Sequence, residues 1–185
     1  SDVYKRQVYS IVEGYINKAA ELTAWEKDLK LQKDAGTIAR VKLEEIQADL
    51  RQQRSAAYQS ALEQIEQTRR EHAAAVEDWN RLDGSKLDKD ADLLKLDVPM
   101  TQTQYQQLCT KHKDNSLMLS LLCAYADKHP EEPLYAYRPA DAKTRVSEFD
   151  LYADRAKAVC REPQDIRSGL FLDNVGVPEA VSYEY

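Results

Sequence analysis

The chain has 185 residues and a formal net charge of −6, with 31% charged residues against only 8% aromatic residues. This lean, acidic composition without a basic block argues against a protein that binds duplex nucleic acid by neutralising phosphates. No stretch approaches the roughly 18 apolar residues of a membrane-spanning helix, so a membrane is not expected as a partner. Cys109, Cys123 and Cys160 form no Cys-x-x-Cys pair, and we expect them to be buried as small apolar residues in a reducing compartment.

The first residues need separate treatment. Residues 2–7, Asp-Val-Tyr-Lys-Arg-Gln, resemble the translation of a transposase adapter used in shotgun sequencing. We therefore interpret residues 1–7 as an artefact of a metagenomic assembly, and we expect the native start of the protein to lie elsewhere.

Residues 8–35 are predicted to form a helix, because apolar residues recur there at steps of three and four. Asp34-Ala35-Gly36-Thr37 combines a turn former, a helix-ending glycine and a capping hydroxyl, which predicts a break near residue 36. Two arrangements remain open: a helical hairpin in which 8–35 folds back on the next helix, and a single kinked helix.

Residues 37–82 contain neither Gly nor Pro and interleave eight acidic with seven basic residues, which predicts one nearly unbroken helix. Stepping 3.6 residues from Leu43 traces one stripe along it, interrupted by Arg54, Thr68 and His72. Either 8–35 covers this stripe or another copy of the chain does. The predicted helix–helix interface consists of Leu43, Ile46, Leu50, Ala57, Ala61, Ile65, Val76 and Trp79.

All six prolines follow residue 98, and this change in composition predicts a domain boundary. Residues 83–99 are interpreted as an acidic linker, 100–162 as a small three-helix domain and 163–185 as a loosely ordered tail. In that domain Thr101 or Thr103 caps the first helix, and the apolar segment 117–126 forms the centre. The predicted fold class is all-α: a long amphipathic helical rod, as one helix or a hairpin, followed by a small helical domain.

The sequence offers little for chemistry. Asp88, Asp90 and Asp92 have the spacing that opens a calcium-binding loop, but Leu93 and Pro99 stand where that loop needs Gly and Glu. The three histidines share no metal-binding spacing with the cysteines, and Cys109 with His112 would lie on one helical turn without an orienting third group. We therefore predict no catalytic residues, no metal ligands and no cofactor, and the chain is not expected to be an enzyme.

The helical pair at 101–129 has the outline of a helix-turn-helix. Its second helix is apolar from Leu117 to Tyr125, where a recognition helix needs polar or basic side chains, which favours a core helix. A cytoplasmic regulator that contacts nucleic acid through this pair remains the alternative function.

Residues 100–128, from Met100-Thr-Gln-Thr-Gln-Tyr-Gln-Gln-Leu-Cys to Ala124-Tyr-Ala-Asp-Lys128, resemble a segment of uncharacterised virion-region proteins of tailed phages and prophages. The resemblance implies a role in head or virion assembly and transfers no functional residues. Together with the helical pattern it leads us to expect a scaffold-like, non-enzymatic protein of the virion or the bacterial host cytoplasm. Its expected partners are further copies of itself and other virion or capsid proteins.

Overall fold

Six α-helices and one short 3-10 turn make up the part of the chain that the computed structural model describes, namely residues 2–130, residue 134 and residues 141–163. No strand occurs in these residues. The predicted all-α class, with long helices followed in chain order by shorter ones, is confirmed. The helices are α1 (Asp2–Asp34), α2 (Arg40–Asn80), α3 (Ala91–Lys95), α4 (Gln102–Lys111), α5 (Ser116–Lys128) and α6 (Ala142–Arg161), and the turn covers Gly84–Lys86.

The chain divides into two units. The first unit consists of the residues up to Ala73 and those from Val146 onward, so it holds α1 with most of α2 and α6. The second unit is Ala74–Arg145, which holds α3, α4, α5 and the last turns of α2.

The predicted break near residue 36 is confirmed, and its local chemistry is clear. Gly36 has a φ of 67°, a left-handed conformation that favours glycine. Its N–H donates to the Lys33 carbonyl at 3.0 Å, and the N–H of Thr37 donates to the Gln32 carbonyl at 3.0 Å. These two bonds form a Schellman motif that satisfies the last carbonyls of α1. The Thr37 hydroxyl also bonds to the Gln32 carbonyl, so it helps to end α1 rather than to cap α2.

The predicted long helix is confirmed as α2, whose 41 residues span about 62 Å at the usual helical rise. Every residue of the stripe traced from Leu43 to Trp79 is buried or half-buried, including the interrupting Arg54, Thr68 and His72. The 3.6-residue period therefore identified the buried face of a straight helix.

The first unit is a helical hairpin with a third helix along part of it. Val8, Val12 and Tyr15 in the first half of α1 pack with Ala61 and Ile65 in the second half of α2. The second half of α1 packs with the first half of α2, so the two helices run antiparallel. The hairpin arrangement is thus the correct one. The same cluster includes the apolar face of α6: Phe149, Tyr152, Ala153, Ala156, Val159 and Cys160.

Ion pairs fasten α6 to α2 at the edge of this cluster. The ammonium of Lys157 contacts the Glu66 carboxylate at 2.5 Å, and the guanidinium of Arg69 lies 3.0 Å from Asp150 and 3.7 Å from Asp154. The hydrogen bond from Lys157 lowers the pKa of Glu66. Because these side chains are partly exposed, each pair contributes at most about 1 kcal/mol, and burial of the apolar face of α6 is the larger effect.

The position of α6 corrects the predicted domain at 100–162. From Val146 onward α6 belongs to the first unit, with α1 and α2, and not to a unit with α4 and α5. The physical reason lies in its small residues. Ala153 and Ala156 leave α6 a shallow face that can approach the hairpin closely, where Ala19 and Ala61 are equally small.

The second unit also corrects the predicted linker at 83–99. That segment folds into the 3-10 turn and α3, and its Ala91 and Leu94 are buried. Leu94 joins the core formed around Leu119, Leu122 and Tyr125 of α5. The Tyr125 hydroxyl further anchors the segment by donating to the Val98 carbonyl at 2.8 Å.

Of the two predicted candidates for the cap of α4, Thr101 and Thr103, the structure has Thr101. Thr101 caps α4 in a capping box with Gln104, and Asn115 caps α5 through the Met118 N–H. Residues 164–185, the greater part of the predicted tail, lie outside the described residues. Among the described helices none combines the length and the apolar composition needed to cross a membrane.

Candidate association surface

The eight predicted interface residues lie on one face of α2, and the structure buries them, wholly or partly, inside the chain. Leu43 and Leu50 pack with Leu22 and Leu29 of α1. The others are distributed along α2: Ile46 packs beside those leucines, Ala57, Ala61 and Ile65 meet α1 and α6, Val76 is buried in the last turns, and Trp79 packs in the second unit. The sequence left open whether residues 8–35 or another copy of the chain covers this face. In the structure, residues of the same chain cover it.

In one part of the hairpin the buried core is formed by α1 and α2 alone, without described residues of α6. We define the arm as residues 20–56, which lie between the parts of α1 and α2 that pack against α6. Its buried seam consists of four leucines, Leu22 and Leu29 on α1 and Leu43 and Leu50 on α2. No described residue of α6 joins this cluster, so the arm is a two-helix segment in the part of the chain that is described.

The arm carries three large apolar side chains that are more than half exposed. Trp25 is 52% exposed, Leu31 is 67% exposed and Val41 is 69% exposed. Single exposed apolar residues are common on protein surfaces, but an exposed tryptophan on a two-helix arm is a typical anchor of helix–helix contacts. Trp25 belongs to the apolar residues that recur at steps of three and four in residues 8–35, and its exposure appears only in the structure.

The two sides of the leucine seam differ in polarity. Residues three positions after each seam leucine lie on one side of the seam, and residues four positions after it lie on the other. The first set is uncharged and consists of Trp25, Gln32, Ile46 and Gln53. The second set is mainly charged and consists of Glu26, Lys33, Gln47 and Arg54.

Contacts within the hairpin confirm this geometry for the charged side. The Arg54 guanidinium donates to the Glu26 carboxylate at 3.2 Å and to the Thr23 hydroxyl at 3.3 Å, which ties α2 to α1 across the seam. We call this side the Arg54 side and the opposite side the Trp25 side, where the carboxamides of Gln32 and Gln53 donate to the carboxylates of Asp28 and Asp49. On the Trp25 side Ile46 is half-buried and Trp25 is 52% exposed.

In the second unit the structure brings together a polar cluster that the sequence did not predict. Side-chain ligand atoms of Asp88, Asp90 and His112 lie within 4.8 Å of one another, the one such group found among the described residues. The Lys111 ammonium lies 2.6 Å from an Asp90 oxygen and 4.0 Å from Asp88, and His112 Nε2 lies 2.8 Å from the same Asp90 oxygen. Hydrogen bonds from Lys111 and His112 lower the pKa of Asp90, and the hydrogen bond that Lys111 donates to Asp90 raises the pKa of Lys111.

These three residues could ligate a divalent cation only if it displaced the ammonium of Lys111, which already pairs with both carboxylates. The arrangement therefore acts as an ion-pair cluster that joins the segment before α3 to the end of α4. The sequence contained half of the signal, the alternating aspartates, but His112 is more than twenty residues away, and nothing in the local pattern connects it to them.

Two buried groups, the Cys160 thiol and the Tyr152 hydroxyl, are poor nucleophiles at neutral pH. Burial raises the pKa of the Cys160 thiol to about 11 and that of the Tyr152 hydroxyl to about 12. Both groups are protonated at neutral pH and pack as core side chains. Cys109 is buried as expected, and Cys123 is half-buried.

The helical pair at 101–129 corresponds to α4 and α5. The face of α5 that carries Met118, Leu119 and Leu122 is buried, as expected for a core helix. Comparisons of the chain with protein families, with curated proteins and with solved structures found no match.

Proposed function

We propose that this chain is a non-enzymatic, scaffold-like assembly protein that acts through helix–helix association of its arm. The observation that carries the proposal is the arm itself: two helices with a four-leucine seam and the exposed Trp25, Leu31 and Val41. A third helix packs on the hairpin elsewhere in the first unit but contributes no described residue to this seam.

Physical reasoning supports an associating role for such an arm. Two helices can bury only the stripe that faces the other helix, so a thin seam of this kind gains stability when further helices cover its open sides. Each contact would be small and weak. Weak contacts suit assembly, because many of them together hold the copies firmly, whereas a single wrongly placed copy can still dissociate.

The biological setting is proposed from the resemblance of residues 100–128 to virion-region proteins of tailed phages and prophages. In that setting the partners are virion or capsid proteins, and the arm would align copies of the chain during assembly. The alternative, a regulator that contacts nucleic acid through α4 and α5, is supported by no particular contact: the buried face of α5 is core, and Lys111 is engaged by Asp90.

The proposal is tested first on the neighbouring genes, where a portal, protease or capsid gene would support it and their absence would oppose it, and then with the shell protein that such a capsid gene encodes. Light scattering and electron microscopy would follow its assembly with and without the full chain. We expect the full chain to change the rate or the uniformity of assembly, and we expect Leu31→Asp combined with Val41→Asp to abolish that effect. Leu151→Asp is the matched control, because Leu151 is 54% exposed on α6, outside the arm.

An unchanged assembly reaction in the presence of the full chain would contradict the proposal. A salt-sensitive shift of labelled duplex DNA, together with no effect on the shell protein, would favour the regulator instead.

A further inference from the structure

We draw no further inference here: the strongest candidate, the side-chain cluster of Asp88, Asp90 and His112 beside α3, has both carboxylates already paired with the ammonium of Lys111, and nothing else in the described residues points to a ligand there.

Discussion

Replacement of Phe149 by alanine tests the least expected feature of this fold, the packing of α6 against the α1–α2 hairpin. The Phe149 side chain is 1% exposed, and its ring stacks on the imidazole of His72 with a centroid distance of 4.1 Å. The ring of Tyr152 lies 6.1 Å away. Truncation removes a buried aromatic ring and leaves a cavity between helices, at a cost of about 3–5 kcal/mol.

Hydrogen exchange measured by mass spectrometry is the suitable assay, because a chain with two units need not unfold in one step. We expect amides of α1, α2 and α6 to exchange about 100-fold faster or more in Phe149→Ala, following the loss of roughly 3 kcal/mol of protection. Amides of α4 and α5 should change far less. Leu151→Ala is the control on the same helix, where an exposed side chain should cost no more than about 0.5 kcal/mol.

The reasoning would be refuted by the opposite pattern. If α4 and α5 lost protection in Phe149→Ala while α1 and the first half of α2 kept theirs, then α6 would pack with the second unit, as the sequence alone suggested. A change of less than about 1 kcal/mol everywhere would mean that the Phe149 ring is not buried in a core.

Three further outcomes are expected. Gly36→Ala should destabilise the first unit by about 1–2 kcal/mol, because residue 36 has a left-handed backbone conformation. Gly14→Ala should stabilise the same unit by about 0.5–1 kcal/mol, because Gly14 lies within α1 and faces open space. In thermal unfolding the two variants should therefore shift Tm in opposite directions. Glu66→Gln should lower Tm at pH 7 and lower it by less at pH 3. A carboxyl whose pKa is lowered by folding stabilises the protein above its unfolded pKa of about 4.3, and this stabilisation is lost as the pH falls through the folded pKa. Equal losses of Tm at both pH values would contradict this. Iodoacetamide at pH 8 should modify the half-buried Cys123 well before Cys160, because burial raises the pKa of the Cys160 thiol to about 11. In denaturant the two thiols should react at equal rates. Peptide mapping would detect the order, and early labelling of Cys160 would contradict its burial in the core.

The association surface was only partly readable in the sequence. Periodicity identified the inward face of α2, and the structure places that face against α1 and α6 rather than on a free surface. The Trp25 side of the seam can be identified only once the seam leucines are known. Reading the positions three and four residues after each of them then separates Trp25 from Glu26, a distinction that a search for apolar periodicity does not make.

The sequence by itself determined the local features of this protein. The end of α1 at Gly36 and the uninterrupted α2 each depend on residues within one or two helical turns, so their signals are contained in short windows. The cap of α4 was restricted in the same way to Thr101 or Thr103, and the structure has Thr101.

The tertiary structure decided which surfaces meet. Because α6 has an apolar face, another element must cover that face, and many apolar surfaces of similar width could do so. Close approach to the alanines of the hairpin made α1 and α2 its partners. Residues 83–99 looked like a linker because their charge is high, yet a buried Leu94 and a carbonyl bonded by Tyr125 are sufficient to fold the segment onto α5. Which helix faces pack together depends on their shape and on their distance in space, and a short sequence window determines neither.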